Sequence, residues 1–207
     1  MHLALLGGTG RTGRLLIDIA LDQGHTLRVL ARDPTRLHRT HPHLHAITGD
    51  ARDAGDLQQL MQGCEAVLSA LGPVPHSPDD TMTLAAQHLT RVLAEHGVRR
   101  LITLTGAGVP HPGDTPTVPD RLIRTLLRLT QPRVLDDAIR HADIIRASTL
   151  DWTIVRAPRL TDGPVKPVRS GRVGTIRPVV TRASVAHFML AQLAPGTPVR
   201  QAPAISN

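Results

Sequence analysis

The chain has 207 residues, 41% of them hydrophobic, and a formal net charge of +7 at pH 7. That length suits one domain with a full core, and no stretch is long and apolar enough to suggest a membrane span. The single cysteine, Cys64, excludes an internal disulfide and points to a reducing, cytoplasmic setting, where it is expected to be structural.

The first fourteen residues organise the rest. His2 to Leu6 reads as a short apolar strand, and GGTGRTG follows at Gly7–Gly13, with Gly7, Gly10 and Gly13 three apart. Leu15, Leu16, Ile17, Ile19 and Ala20 then continue as a helical face. Strand, glycine turn and helix start form a phosphate-binding device, in which backbone N–H groups and the positive end of the helix dipole face an anion. Gly7, Thr9, Gly10, Arg11, Thr12 and Gly13 are therefore expected to hold a dinucleotide. This opening is not the basic-then-apolar pattern of a secretory signal, so none is expected.

Thr26–Ala31 is the predicted second strand, ending in Arg32 with Arg36 four residues on. An acidic residue at that place would select a free ribose 2′-hydroxyl. Two guanidinium groups suit a 2′-phosphate, so NADP(H) is the expected cofactor, with Arg11 assisting. His38, His41, His43 and His45 follow; the last three alternate and would share one face of a strand, but no cysteine joins them and no metal site is expected. Leu44–Thr48 is the third strand. Asp50 beyond it, beside Ala51, is placed to accept a bond from an adenine amino group or to cap the helix starting near Asp53. Ala66–Ala70 is the fourth strand, and the small residues of Leu71-Gly72-Pro73 would let a cofactor lie across the strand ends. A proline-rich loop, Val74–Asp80, leads into a helix over Thr81–His96.

Leu101–Leu104 is the fifth strand. Thr105 beyond its end would offer a hydroxyl to the ligand crevice. Val109–Pro119 reads as a proline-rich loop. Asp120–Thr130 is amphipathic, with Leu122, Ile123, Leu126 and Leu127 opposing Arg121, Arg124 and Arg128, whose basic side is expected to face solvent. A helix from Pro132 to about Ser148 carries His141, read either as a proton donor reaching the site or as a surface residue. Thr153–Val155 is the sixth strand, followed by Arg156, Pro158 and Arg159; Thr161–Arg177 is irregular or a short hairpin, and Ala183–Leu193 is a last helix. Alternating strands and helices make a Rossmann-like, doubly wound parallel sheet. The charge is uneven: Met1–Val98 carries 8 basic and 10 acidic side chains, whereas Arg99–Arg177 carries 14 and 7. The surplus lies in the half expected to shape the substrate side, which suggests an anionic ligand or partner. No nucleic acid is expected, because no binding motif or aromatic platform accompanies the charge.

GGTGRTG at Gly7–Gly13, ARDPTRL at Ala31–Leu37, Thr48-Gly49-Asp50, LDWTIVRAPRLTDGP at Leu150–Pro164 and SVAHFML at Ser184–Leu190 together resemble the atypical short-chain dehydrogenase/reductase proteins, above all the flavin reductase/biliverdin-IXβ reductase branch. The resemblance implies NADP(H) in an extended pose, a monomer or small homo-oligomer, and a small, planar acceptor such as a flavin, tetrapyrrole or quinone. The wider family uses a Tyr-x-x-x-Lys pair; this chain has no tyrosine and one lysine, Lys166, so that mechanism is excluded. The branch places a serine near Gly106, beside Thr105, and a histidine where Arg159 stands. Thr105, Arg159 and His141 are therefore the candidate catalytic residues, with Arg159 and Arg156 expected to meet charge on the acceptor. Two functions follow: hydride transfer to a flavin-like or quinone-like acceptor, or non-catalytic NADP(H) sensing that controls a protein partner.

Overall fold

In the computed structural model, whose described residues are 1–73 and 78–207, strands β1 (His2–Leu6), β2 (Thr26–Ala31), β3 (Leu44–Thr48), β4 (Ala66–Ser69), β5 (Arg100–Gly106) and β6 (Asp151–Ala157) lie parallel. The sheet order is β3-β2-β1-β4-β5-β6, extended by β10 (Ala204–Ser206) parallel to β6 and by β8 (Arg169–Gly171) antiparallel to β10. The order reverses between β1 and β4, so the crossovers leave a crevice there at the carboxyl ends of the strands. Part of the expected Val74–Asp80 loop, residues 74–77, lies outside the described residues.

Side chains alternate across the strands, and both faces are apolar. Ala4 and Leu6 of β1 meet helices α2 (Ala54–Met61), α3 (Thr81–Glu95) and α5 (Pro132–Ala147). Leu3 and Leu5 meet α1 (Arg11–Asp22) and α6 (Arg182–Ala191) on the other face. Cys64 is buried, and its thiol is pushed up to about 11 by burial, as a structural residue requires.

Several boundaries differ from expectation. Thr105 and Gly106 belong to β5 because β6 pairs with it as far as Gly106↔Ala157. The irregular stretch contributes β8, and a separate two-stranded sheet joins β7 (Arg159–Thr161) to β9 (Val179–Thr181). His41 and His43 precede β3 instead of sharing its face; their rings lie 5.5 Å apart, and His38 pairs with Asp18 at 3.0 Å. Helix α4 (Val118–Thr130) begins two residues early, where Thr117 and Asp120 form a reciprocal capping box. Its apolar side was expected to pack inward, yet no residue of α4 is buried, and Leu122, Ile123, Leu126 and Leu129 are 65, 52, 59 and 77% exposed.

Candidate active site

The glycine loop is shaped by close approaches. Gly7 has φ +78°, and a Cβ there would stand 2.6 Å from the Ala70 carbonyl oxygen. A Cβ on Gly13 would stand 2.1 Å from the Gly7 carbonyl oxygen, so this glycine lets helix α1 pack beneath the loop. The Gly10 N–H donates to Gly7 O at 3.0 Å. Helix α1 has no acidic side chain in its first turn and no side-chain cap, which leaves its N-terminal amides open to an anion.

Over this loop the crevice has two lobes. The first, about 400 Å³, is bordered by Gly7, Thr9, Gly10, Arg32, Arg36, Asp50, Ala51, Arg52, Leu71 and Gly72. The second, about 750 Å³, shares Thr9, Gly10, Ala70, Leu71 and Gly72 with it and adds Arg11, Thr12, Leu104, Thr105, Pro158 and Arg182. Both volumes lie in the range of small-molecule sites. All the residues expected to hold a dinucleotide thus border one continuous crevice, except Gly13, which supports the loop from below.

Arg32 and Arg36 are exposed at the first lobe, and among the described residues neither guanidinium has an acidic partner. Arg14 ties that segment to the glycine loop, donating to Thr9 O at 3.3 Å and to Arg36 O at 3.4 Å. Asp50 does not cap α2. That role belongs to Asp53, whose carboxylate accepts from the Asp56 N–H at 3.0 Å. Asp50 instead accepts from Arg52 Nε at 3.1 Å and Nη2 at 2.8 Å, and these bonds, with the Arg52 charge, hold its carboxyl below the ordinary value.

In the second lobe the Thr105 hydroxyl is buried without a hydrogen-bond partner among the described residues. An orphaned buried hydroxyl costs free energy unless a ligand completes it. The other two catalytic candidates do not line either lobe. Arg159 is exposed on β7, and its N–H is taken by Pro178 O at 3.1 Å. His141 is neither a surface residue nor a donor to the crevice: it is 1% exposed, its Nδ1 lies 3.0 Å from Met82 O and its Nε2 lies 3.0 Å from the Thr103 hydroxyl. Arg156 is also structural, 1% exposed and paired with Asp114 at 2.5 and 2.9 Å. None of the basic residues from Arg99 to Arg177 borders either lobe among the described residues, so the charge surplus there does not face the crevice.

Several residues that line the crevice escaped the sequence reading. Arg52 stands two residues after Asp50, close enough in sequence to have been weighed. Arg182, at the start of α6, had no motif to mark it. Leu127, Gln131, Val134 and Leu135 wall the second lobe from the α4–α5 junction, a placement set only by tertiary packing.

A family profile described as NAD(P)H-binding matches residues 7–195. Among solved structures, the chain is similar to an anaerobillin reductase from Escherichia coli O157:H7 (TM-score 0.84, 17% identity, 100% of this chain and 97% of that one). It is also similar to a wide-type short-chain dehydrogenase/reductase from Veillonella parvula DSM 2008 in complex with NADP (TM-score 0.80, 17% identity, 100% and 94%). A Rossmann-fold NAD(P)-binding family protein from Shigella flexneri matches at TM-score 0.76 and 25% identity, with 100% and 93% covered. At 17% identity the likeness is one of fold.

Proposed function

The chain belongs to the NAD(P)H-binding family, and from that premise we propose that it is an NADPH-dependent reductase acting on a planar, delocalised acceptor of the flavin or quinone kind. The glycine cradle fits a pyrophosphate: the Gly7 and Gly13 positions admit no side chain, and the first turn of α1 offers unpaired amides. Arg32 and Arg36 would hold the 2′-phosphate, and Asp50, kept ionised by Arg52, would meet the adenine edge. A bound dihydronicotinamide supplies a hydride.

The observation that carries the choice of acceptor is the chemistry of the second lobe. Among the described residues its titratable side chains are Arg11 and Arg182; no Asp, Glu, His, Cys, Lys or Tyr borders it. Reduction of an isolated carbonyl needs an acid for the developing alkoxide. A flavin or quinone spreads the incoming electron pair over its ring and takes its proton from water, so positioning by the apolar walls, Leu104, Leu127, Leu135 and Leu160, suffices. Thr105 would orient a polar edge of whichever ring lies against it.

Steady-state oxidation of NADPH and of NADH, with FMN, riboflavin and a small quinone offered in turn, tests this reading. Turnover with NADPH is expected, and Arg32→Ala with Arg36→Ala should raise the NADPH KM roughly 30- to 900-fold while leaving NADH unchanged, because each lost charge-assisted bond is worth about 1–2 kcal/mol at an exposed site. Tight NADPH binding with no turnover on any acceptor would favour the sensor reading, which the lack of acid–base groups in the second lobe also permits.

A further inference from the structure

We propose, building on the reductase reading, that the second lobe anchors its acceptor through an anionic substituent, a carboxylate or phosphate monoester, received by Arg182, and that Asp162 occupies this place until the substituent arrives.

Arg182 is a buried cation on the crevice wall. Its side chain is 8% exposed, and it borders the second lobe but not the first. A buried guanidinium needs a counter-charge, and its five N–H groups favour a planar anion taken by two oxygens. Here one donor, Nη1, reaches one oxygen of Asp162 at 2.7 Å, and among the described residues no other hydrogen-bond partner meets the guanidinium. The carboxylate that supplies this bond is 75% exposed. Its second oxygen lies 3.8 Å from Arg11 Nη1, on a side chain that is itself 73% exposed at the same lobe. Two arginines of the second lobe, one from the glycine loop and one from the start of α6, therefore converge on a single tethered carboxylate that stands outside the lining of the lobe itself.

That arrangement suits exchange. A carboxylate mostly in water gains little from holding its pair, so it can turn outward when a better anion enters. The incoming group would meet Arg182 with two oxygens and draw in Arg11. The substituent lies at the rim, while the flat ring fills the apolar part beneath Leu104, Leu160 and Thr105. An anion at this place has a second conceivable source, the cofactor's own pyrophosphate. The glycine-loop amides bordering both lobes already serve that group, which leaves the Arg182 site to the acceptor.

Riboflavin and FMN share one ring and differ by a phosphate, so they separate the sources. Their binding to the protein saturated with NADP+ is read by quenching of flavin fluorescence, and NADPH binding is titrated separately. The wild type should prefer FMN. Arg182→Met should weaken FMN about tenfold, the value of a charge-assisted hydrogen bond, and move riboflavin and NADPH less than about twofold. Asp162→Asn keeps an amide oxygen to accept from Arg182 Nη1 while removing the competing charge, so it should strengthen FMN alone, and it decides the matter if Arg182→Met does not fold. Equal FMN-to-riboflavin ratios in all variants, or binding of neither flavin, overturn the proposal. So does a loss confined to NADPH, which would assign the site to the pyrophosphate. Ratios that follow Arg182 and Asp162 without any turnover uphold the anchor while sinking the reductase reading.

Discussion

Asp137 and His141 lie one turn apart on α5 and grip the first turn of α3. The Asp137 carboxylate accepts from the Met82 and Thr83 N–H groups at 2.9 Å each, an N-terminal cap supplied by another helix. A carbonyl can only accept, so His141 Nδ1 carries the proton donated to Met82 O, and Nε2 accepts from the Thr103 hydroxyl. The ring is therefore neutral, and burial lowers its pKa below 6.5 against the opposing pull of the Met82 carbonyl and the Asp137 charge. The role is structural: the ring fixes Met82, which borders the acceptor lobe. When a folded-state pKa is depressed, the unfolded chain takes up its proton first as pH falls. The site's stability is full above the ordinary value of 6.5 and drains away below it. His141→Phe should cost about 1–3 kcal/mol at neutral pH, because the Met82 carbonyl and Thr103 hydroxyl lose their partner. The gap to wild type should narrow on acidification. Guanidinium unfolding at about pH 8 and about pH 5.5 reads both effects; a gap that stays constant would mean that the ring is not buried neutral.

Helix α4 shows what an element contributes when its own pattern and its surroundings disagree. Its period is helical and its caps are sound, yet the Leu122, Ile123, Leu126 and Leu129 side points to water, while Leu127 alone meets the acceptor lobe. Replacing Leu122 and Leu129 by Gln should shift the unfolding free energy by less than about 0.5 kcal/mol per site, since nothing buried is lost and Gln matches Leu in helix propensity. Leu127→Gln should raise the acceptor KM with little change in melting temperature. A large loss of stability in the Leu122/Leu129 double variant would show that the outer face is covered in solution. The same element marks where sequence legibility ends. Strands β1 to β6 and the glycine loop were readable because local pattern and tertiary demand coincide there: short runs between turn signals fit strands, and all but the exposed edge strand β3 are apolar because helices cover both faces. The amphipathic period of α4 identified the helix but not which side faces the body, since that depends on the α4–α5 junction. Strands β8 to β10 are three residues each, too short to carry a period. Arg182 could not be told from other arginines because its burial is set by where the start of α6 docks in the folded chain, whereas Arg32 and Arg36 were legible from their distance beyond a readable strand.

At the scale of the whole molecule, Arg156 and Asp114 fasten the far side of the sheet to the crevice. Arg156, on β6, donates to Ala202 O at 2.8 Å ahead of β10 and to Val109 O at 3.2 Å in the loop after β5. Asp114 also accepts from the Val173 N–H at 3.1 Å, which brings in the turn after β8, and from the His111 N–H at 2.9 Å. One ion pair thus joins four chain segments, and the loop it holds, with Gly106, Gly108 and Val109, walls the acceptor lobe. Burial alone would raise the Asp114 carboxyl, but the Arg156 hydrogen bonds and charge outweigh it and hold the group below 3.8. The depressed value has a definite sign. The pair's stability is complete above pH 3.8 and is lost as pH falls through the folded-state value. Breaking a buried pair leaves its partner uncompensated, so Asp114→Asn should cost about 3 kcal/mol at neutral pH, toward the lower end for such pairs because the Asp114 side chain is still 11% exposed. As pH falls through that lowered folded-state value the wild type protonates Asp114 itself, and the two proteins should converge. Because the loop is released along with the pair, the acceptor KM should rise in Asp114→Asn by more than the NADPH KM, since the residues proposed for the 2′-phosphate and adenine border the other lobe. Equal losses at both lobes would mean that the pair supports the sheet as a whole and not the acceptor wall in particular.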